Sequence, residues 1–225
     1  MRLEFDKESE RFYETGIRNV VLYTRDQNND YTVPEAWNGV TAINENPSGA
    51  DVTDLYADDI KYLSMRAAEN FGLSITAYSY PESFAECDGT KEVAPGVVMG
   101  QQSRKSFGLA YITTEGNDVD GNDYGEKLHL VYNATAAPSA RNYQTINESP
   151  SAIEFSWEIS TTPVSNKHGK PSATLTISKT KANATKYNAL LDTLWGTDAD
   201  PTAQTEGTTG RLPSIDDVIT AMSGQ

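Results

Sequence analysis

Apolar and polar residues alternate along several stretches of the chain, and that period of two marks strands with one buried face. The clearest case sets Ile153, Phe155, Trp157 and Ile159 on one face and Glu154, Ser156, Glu158 and Ser160 on the other. Phe71, Leu73, Ile75 and Ala77 repeat the pattern, as do Phe107, Leu109 and Tyr111, then Leu128, Leu130 and Tyr132, then Ala173, Leu175 and Ile177. Shorter runs, Asn19 to Tyr23 and Ile60 to Met65, are similar. The pattern predicts a mainly β protein of the sandwich or barrel type with one or two short flanking helices. The first helix follows from Tyr187, Leu190, Leu191, Leu194 and Trp195, which share one helical face and precede Gly196. A second, at the C-terminus, follows from the Ser214 and Asp217 capping pair before Ile215, Val218, Ile219 and Met222. Pro81 to Cys87 predicts one further turn of helix with Pro81 at its first position.

Only GTDADPTAQTEGTTG, residues 196 to 210, is linker-like, being rich in Gly, Thr and Asp with almost nothing to bury. The division expected is a β domain over 1–195, a linker over 196–211 and a docking helix or tail over 212–225. The long connections from Asn44 to Asp59 and from Thr114 to Glu126 are read as loops.

Charge narrows the function. The 32 acids and 18 bases among 225 residues leave a net charge of −14. Gripping nucleic acid depends on Lys and Arg displacing counterions from phosphates, so that class is disfavoured. No stretch approaches the eighteen or more apolar residues of a membrane helix. The opening MRLEFDKESERF carries charge where a signal peptide needs an apolar run, which predicts an intracellular product.

Candidate chemistry is sparse. One cysteine, Cys87, excludes an internal disulfide, and its neighbours Glu86 and Asp88 disfavour the thiolate, so a buried structural role is expected. Asp118, Asp120 and Asn122 alternate as in a calcium loop, but Asp123 and His129 stand where an EF-hand requires Gly and Glu. A hairpin connection explains that segment better. Glu154 and Glu158 form the best carboxylate pair. Four residues along a strand separate their Cα atoms by about 13 Å, against the roughly 5 to 10 Å of a glycosidase pair, so an acidic sheet face is the simpler reading. Ser178 and Lys181 lack the companion motifs of the penicillin-binding enzymes. His129 has no second histidine at ligand spacing and is given a surface or interface role. No catalytic residue, cofactor or metal is assigned. Tyr31, Trp37, Tyr56, Tyr78 and Tyr80 are either core or anchors for protein contacts.

Four blocks carry a resemblance: AWNGVTAINENPSGADVTDLYADDIKYLSM (36–65), SITAYSYPESFAECDG (74–89), GQQSRKSFGLAYITTEGNDVDGNDYGEKLHLVYNA (100–134) and FSWEISTTPV (155–164). In this order they resemble the major tail protein family of long-tailed bacteriophages and prophages of Gram-positive bacteria, over roughly residues 15 to 195. The resemblance implies a tail tube subunit, a structural virion protein and not an enzyme, assembled in the bacterial host cytoplasm. Its copies form six-membered rings that stack into the hollow conduit for genome delivery. The implied partners are further copies of the chain, a tape measure protein inside the tube, and tail terminator and distal tail or baseplate proteins. DNA passes without specific binding, and there is no membrane insertion. Edge-to-edge joining of sheets and an acidic, hydroxyl-rich wall agree with the strand pattern and the charge. Glu154, Ser156, Glu158, Thr174 and Thr176 are the candidates for the channel wall. Asn44, Asp51, Asp54, Tyr56, Glu115, Asp118, Asp120 and Asp123 are the candidates for contacts between subunits. The alternative is a monomeric β-sandwich binding module or capsid decoration protein.

Overall fold

The alternating segments pair into one antiparallel sheet that is covered on both sides over its centre. The computed structural model describes residues 2–146, 152–199 and 206–223. The first half of the chain forms β1 (Phe12–Thr24), β2 (Val33–Ala36), β3 (Val40–Glu45), β4 (Ser48–Gly49), β5 (Val52–Ala57), β6 (Ile60–Arg66), β7 (Glu69–Asn70) and β8 (Gly72–Ala77). Then come α1 (Phe84–Cys87), β9 (Lys91–Ala94), β10 (Val97–Met99), β11 (Phe107–Asn117), β12 (Gly121–Ala136) and β13 (Phe155–Thr161). The remainder is β14 (Thr174–Ser178), α2 (Ala184–Trp195), β15 (Gly196–Thr197), β16 (Thr208–Thr209) and α3 (Ile215–Ser223). The main sheet runs β2-β1-β11-β12-β13-β8-β3, with β14 also paired to β12.

Two cores lie on its two sides. Val20, Leu22, Leu73, Ile75, Phe107, Leu109, Trp157 and Ile159 point into the first, together with Trp37 and the α1 residues Phe84 and Cys87. Strands from both ends of the sheet contribute, so the sheet rolls around this core as an incompletely closed barrel. The opposite side of β1, β11 and β12 carries Val21, Ala110, Ile112, Leu128 and Leu130, covered by Tyr187, Leu190 and Leu194 of α2 and by Ile215 and Val218 of α3. Residues 107–112 of β11 are therefore buried on both faces, which is why FGLAYI is nearly all apolar. Gly108 has no side chain because Leu212 occupies the space a Cβ would need.

The sheet forks along one edge of β12. Lys127–Val131 pairs with β14, whereas Ala134–Ala136 pairs with β13. Between them Asn133 has φ +51°. Opposite Leu109 and Phe107 stand Val131 and Ala134, so β12 holds one extra residue, a bulge that changes which face its side chains occupy. Leu128, Leu130 and Tyr132 face the helices, while Ala134 and Ala136 face the barrel core. Asn tolerates this left-handed backbone. Here Asn133 Nδ2 also donates to Thr162 O at 3.2 Å, and Oδ1 accepts from Arg25 Nη2 at 3.0 Å. Asn133→Val, which is β-branched at positive φ and loses both bonds, is expected to destabilise by about 2–3 kcal/mol. Asn133→Gly keeps the backbone and loses less; urea midpoints of the two variants check the order.

The helices follow their sequence signals. Asn183 Oδ1 accepts the N–H groups of Thr185 (3.0 Å) and Lys186 (3.2 Å) and so caps α2. Ser214 Oγ accepts from Asp217 N at 3.2 Å and donates to Asp217 Oδ2 at 2.8 Å, capping α3. Gly196, at φ +82°, ends α2. Trp195, expected on the apolar face, is 39% exposed.

Three expectations need correction: the start of α1, the burial of the 60–65 strand, and the reading of two long connections as loops. The single turn α1 starts at Phe84, whose N–H reaches Pro81 O at 3.0 Å, so Pro81 precedes the helix instead of opening it. The strand at 60–65 exists, but all its residues are exposed, because β6 pairs only with β5 in a hairpin outside both cores. The 44–59 connection contains strand β5, and the 114–126 connection is mostly ladder, with Asn117 paired to Gly121 at φ +59°. Within the 196–211 segment β15 pairs with β16, and Leu212 N then donates to Tyr31 O at 3.0 Å, seating α3 on its own chain. Residues 200–205 of that segment lie outside the described residues. Among the described residues no helix is long and apolar enough to cross a membrane.

Candidate functional site

The outer face of β13, β8 and β3 is a polar wall. Trp157 and Ile159 turn inward, which turns Glu154, Ser156, Glu158 and Ser160 outward. Glu158 stands opposite Ser74, which stands opposite Asn44; Ser156 stands opposite Thr76. Thr41 Oγ1 donates to Glu154 Oε1 at 3.0 Å. Neither Glu154 nor Glu158 has an ion-pair partner among the described residues, so this wall carries uncompensated negative charge. Thr174 and Thr176 are not part of it. They stand opposite Val131 and His129 and project from the other side of the sheet.

Two hairpins project from the barrel. In β5–β6 the two-residue turn Asp58-Asp59 has φ +52° and +61°, the geometry that twists with its strands. Asp54 accepts from Lys61 Nζ (2.8 Å) and Ser64 Oγ (2.5 Å), and these bonds lower its pKa below the usual carboxylate value. Val52, Leu55, Tyr56, Ile60, Tyr62, Leu63 and Met65 are all exposed on this one arm, Tyr56 by 70% and Leu63 by 49%. The second hairpin, β9–β10, exposes Val93, Val97, Val98 and Met99. Single exposed apolar residues are ordinary, whereas a contiguous set on a projecting element marks a contact surface.

The other contact candidates divide between separate elements. Asn44 closes the polar wall, Asp51 leads into the arm, and Asp54 and Tyr56 lie on it. Glu115, Asp118, Asp120 and Asp123 belong to the β11–β12 hairpin. Glu115 is half-buried and lies 3.7 Å from Lys127; Asp118 meets Arg11 at 3.5 Å; Asp120 accepts from Asn117 Nδ2 at 3.0 Å; Asp123 is exposed. Of the five aromatic candidates, Trp37 is core, Tyr80 and Tyr31 are half-buried, and Tyr56 and Tyr78 are exposed.

The sequence conceals a polar cluster at the end of the barrel. His129 lies flat on Tyr111, ring centroids 4.7 Å apart, with its Nε2 2.9 Å from Thr113 Oγ1. Glu14 from β1 and Glu45 from β3 approach its two nitrogens at 3.6 and 3.7 Å. Burial lowers the His129 pKa, and the two carboxylates only partly oppose it. Both are far from His129 in sequence: Glu14 reaches it through the pairing of β1, β11 and β12, and Glu45, on the strand at the far end of the sheet, only through the curl. Cys87 is fully buried, and burial first, then Glu86, pushes its thiol up to about 12. A groove of about 540 Å³ at the barrel seam, lined by Ile17, Val20, Trp37 and Trp195 among others, holds one carboxylate, Glu35, which accepts from Ser83.

No family model matches the chain, and no curated protein matches it. Among solved structures, a chain of the PVC sheath-tube complex, an extracellular contractile injection system in its extended state, is similar over 78% of this chain and 94% of its own at 11% identity and a TM-score of 0.34. A chain of the anti-feeding prophage baseplate is similar over 78% of this chain and 97% of its own, at 9% identity and a TM-score of 0.37. A chain of the PVC sheath/tube terminator gives 78% and 99%, with 12% identity and a TM-score of 0.29.

Proposed function

We propose that this protein is a tail tube subunit, whose copies close into hexameric rings and stack into the conduit through which a phage genome leaves the particle. The observation that carries the reading is the β5–β6 arm. Seven large apolar residues stand on a hairpin that packs on neither core, and a second copy of the chain is the partner that would cover them. Seated on a different surface of the neighbouring copy, as this reading requires, the arm makes a heterologous contact, which closes a ring or extends a stack rather than ending at a dimer. The resemblance of the four sequence blocks supports the same reading. So does the uncompensated acidic wall of Glu154, Ser156 and Glu158, since a channel that passes DNA must not hold it. On this reading the tape measure protein occupies the tube during assembly, and terminator and distal tail or baseplate proteins close its ends.

Electron microscopy of the concentrated chain tests the proposal: long hollow cylinders are expected, and a monomer or small closed oligomer at every concentration overturns it in favour of a binding or decoration module. In tubes assembled from a Glu154→Lys, Glu158→Lys double variant, duplex DNA is expected to be retained at low salt and released as salt rises. Wild-type tubes should retain none. Equal retention by both removes these positions from the channel wall.

A further inference from the structure

The longest run without an acidic residue spans 159–191 and carries Lys167, His168, Lys170, Lys179, Lys181 and Lys186. All 32 acids lie elsewhere in a chain whose net charge is −14. The fold gathers these lysines around one strand. Lys167 and Lys170 stand just before β14, on a loop closed by the bridge between Val164 and Ser172 and by Asn166, whose Nδ2 donates to Lys170 O at 2.8 Å. Lys179 and Lys181 follow directly after β14, and Lys186 lies in the first turn of α2. β14 pairs with β12 along one edge, and among the described residues no strand covers its other edge.

Glu126, Glu115 and Asp216 reach this stripe from other elements, and each is engaged. Glu126 accepts from Arg18 and from Lys179 Nζ at 3.1 Å. Glu115 lies 3.7 Å from Lys127 and accepts from Ser178 Oγ at 3.3 Å. Asp216 accepts from Lys167 N at 2.9 Å and lies 3.9 Å from His168 Nε2. Lys186 Nζ donates to Met222 O at 3.5 Å. Lys167, Lys170 and Lys181 are exposed, and among the described residues none of the three ammonium groups has an ion-pair partner.

The stripe is thus a positive surface on a strongly negative molecule. Copies of a chain with this net charge repel one another, so electrostatic attraction between them is available where the sign reverses. Two stripes brought face to face also repel, which disfavours a two-fold contact through this surface. A stripe set against an acidic face of the next copy attracts, and that contact is heterologous. We propose that the lysine stripe around β14 is the docking surface for an acidic face of a second copy of this chain, and that it gives the assembly its head-to-tail polarity. That copies associate at all rests on the tube reading; the stripe adds the surface and the direction through which they do so.

The test compares two full-length variants of equal net charge. In one, Lys167, Lys170 and Lys181 are exchanged for glutamine; in the other, the exposed Lys7, Lys91 and Lys105, outside the stripe, are exchanged likewise. Surface exchanges of this kind leave folding intact. Sedimentation across a concentration series at about 50 mM salt is expected to place the association threshold of the stripe variant about tenfold above that of the control. The gap should close towards about 1 M salt, where charges are screened beyond about 3 Å. Equal thresholds at low salt overturn the proposal, because net charge alone then matters; if in that case only the stripe variant fails to retard duplex DNA on a gel, the stripe serves an anionic polymer instead. A lower threshold or amorphous aggregate from the stripe variant also overturns it, since the lysines would then guard the open edge of β14 against pairing. A small wild-type oligomer that depends on the stripe refutes the tube and leaves the stripe standing. Tubes that grow equally well from both variants refute the stripe and leave the tube standing, and a wild type monomeric at every concentration refutes both.

Discussion

Exchanging Tyr56 and Leu63 together for glutamate is expected to abolish tube growth while leaving the subunit as stable as the wild type. Both residues stand on the β5–β6 arm, which pairs with no strand of the main sheet and contributes to neither core. Exposed substitutions away from caps and cores change stability by about ±0.5 kcal/mol, so the thermal midpoint should hardly move. At an interface the same change is large. Burying one such side chain contributes about 2 kcal/mol, and two lost at each contact amount to about 4 kcal/mol, close to a thousandfold in the concentration needed for assembly. Two carboxylates facing an apolar partner raise that further. Sedimentation and electron microscopy across a concentration series measure the threshold. Wild-type growth by the double variant would show that the arm points into solvent in the assembly, and the proposed function would lose its main support.

How much of this was legible in the sequence depended on whether a side chain's partner was near in the chain. The inward and outward faces of β13 could be read from Phe155 to Ser160 alone, because a strand half-buried over one core keeps strict alternation. Asn183, Ser214 and Asp217 act within four residues of themselves, so α2 and α3 lay where their caps and apolar stripes put them. The arm was partly legible. Ile60, Tyr62 and Met65 suggested a strand, but apolar residues that await a partner look the same as those that meet a core, and half-burial was the wrong inference. In β11 the odd-numbered apolar positions were read and the even ones missed, since nothing local announces that α2 and α3 cover the second face. Asn133 gave no signal. An asparagine inside an alternating run is as compatible with an exposed strand position as with a left-handed bulge, and only the change of register across β12 distinguishes them. The His129 cluster was out of reach for the same reason, as its carboxylates come from β1 and β3, and Glu45 arrives only once the barrel curls.

Trp157 is the largest of the fully buried side chains. Its ring is fully enclosed by aromatic neighbours, with centroids 5.2 Å from Phe84, 5.5 Å from Tyr80, 5.6 Å from Trp37 and 5.9 Å from Phe155. These come from α1, β13 and the connections beside β2 and β8, so one side chain holds the rolled sheet closed against the turn that plugs it. Trp157→Ala removes the transfer energy of the indole and leaves a cavity that rigid rings cannot collapse to fill. The expected loss is about 3–5 kcal/mol, which in a chain of this size lowers the thermal midpoint by about 10 °C. Trp157→Phe retains a ring and should lose less than half as much. Because the same strand presents Ser156 and Glu158 to the outside, the loosened variant should also expose the β13 and β8 amides to faster exchange, while α2 and α3, which pack on the other face of the sheet, keep their protection. A midpoint within a degree or two of wild type would mean that the barrel core does not hold this wall in place. Uniform loss of protection in both cores would instead show that they unfold as one unit, with β11, buried on its two faces, as the element that joins them.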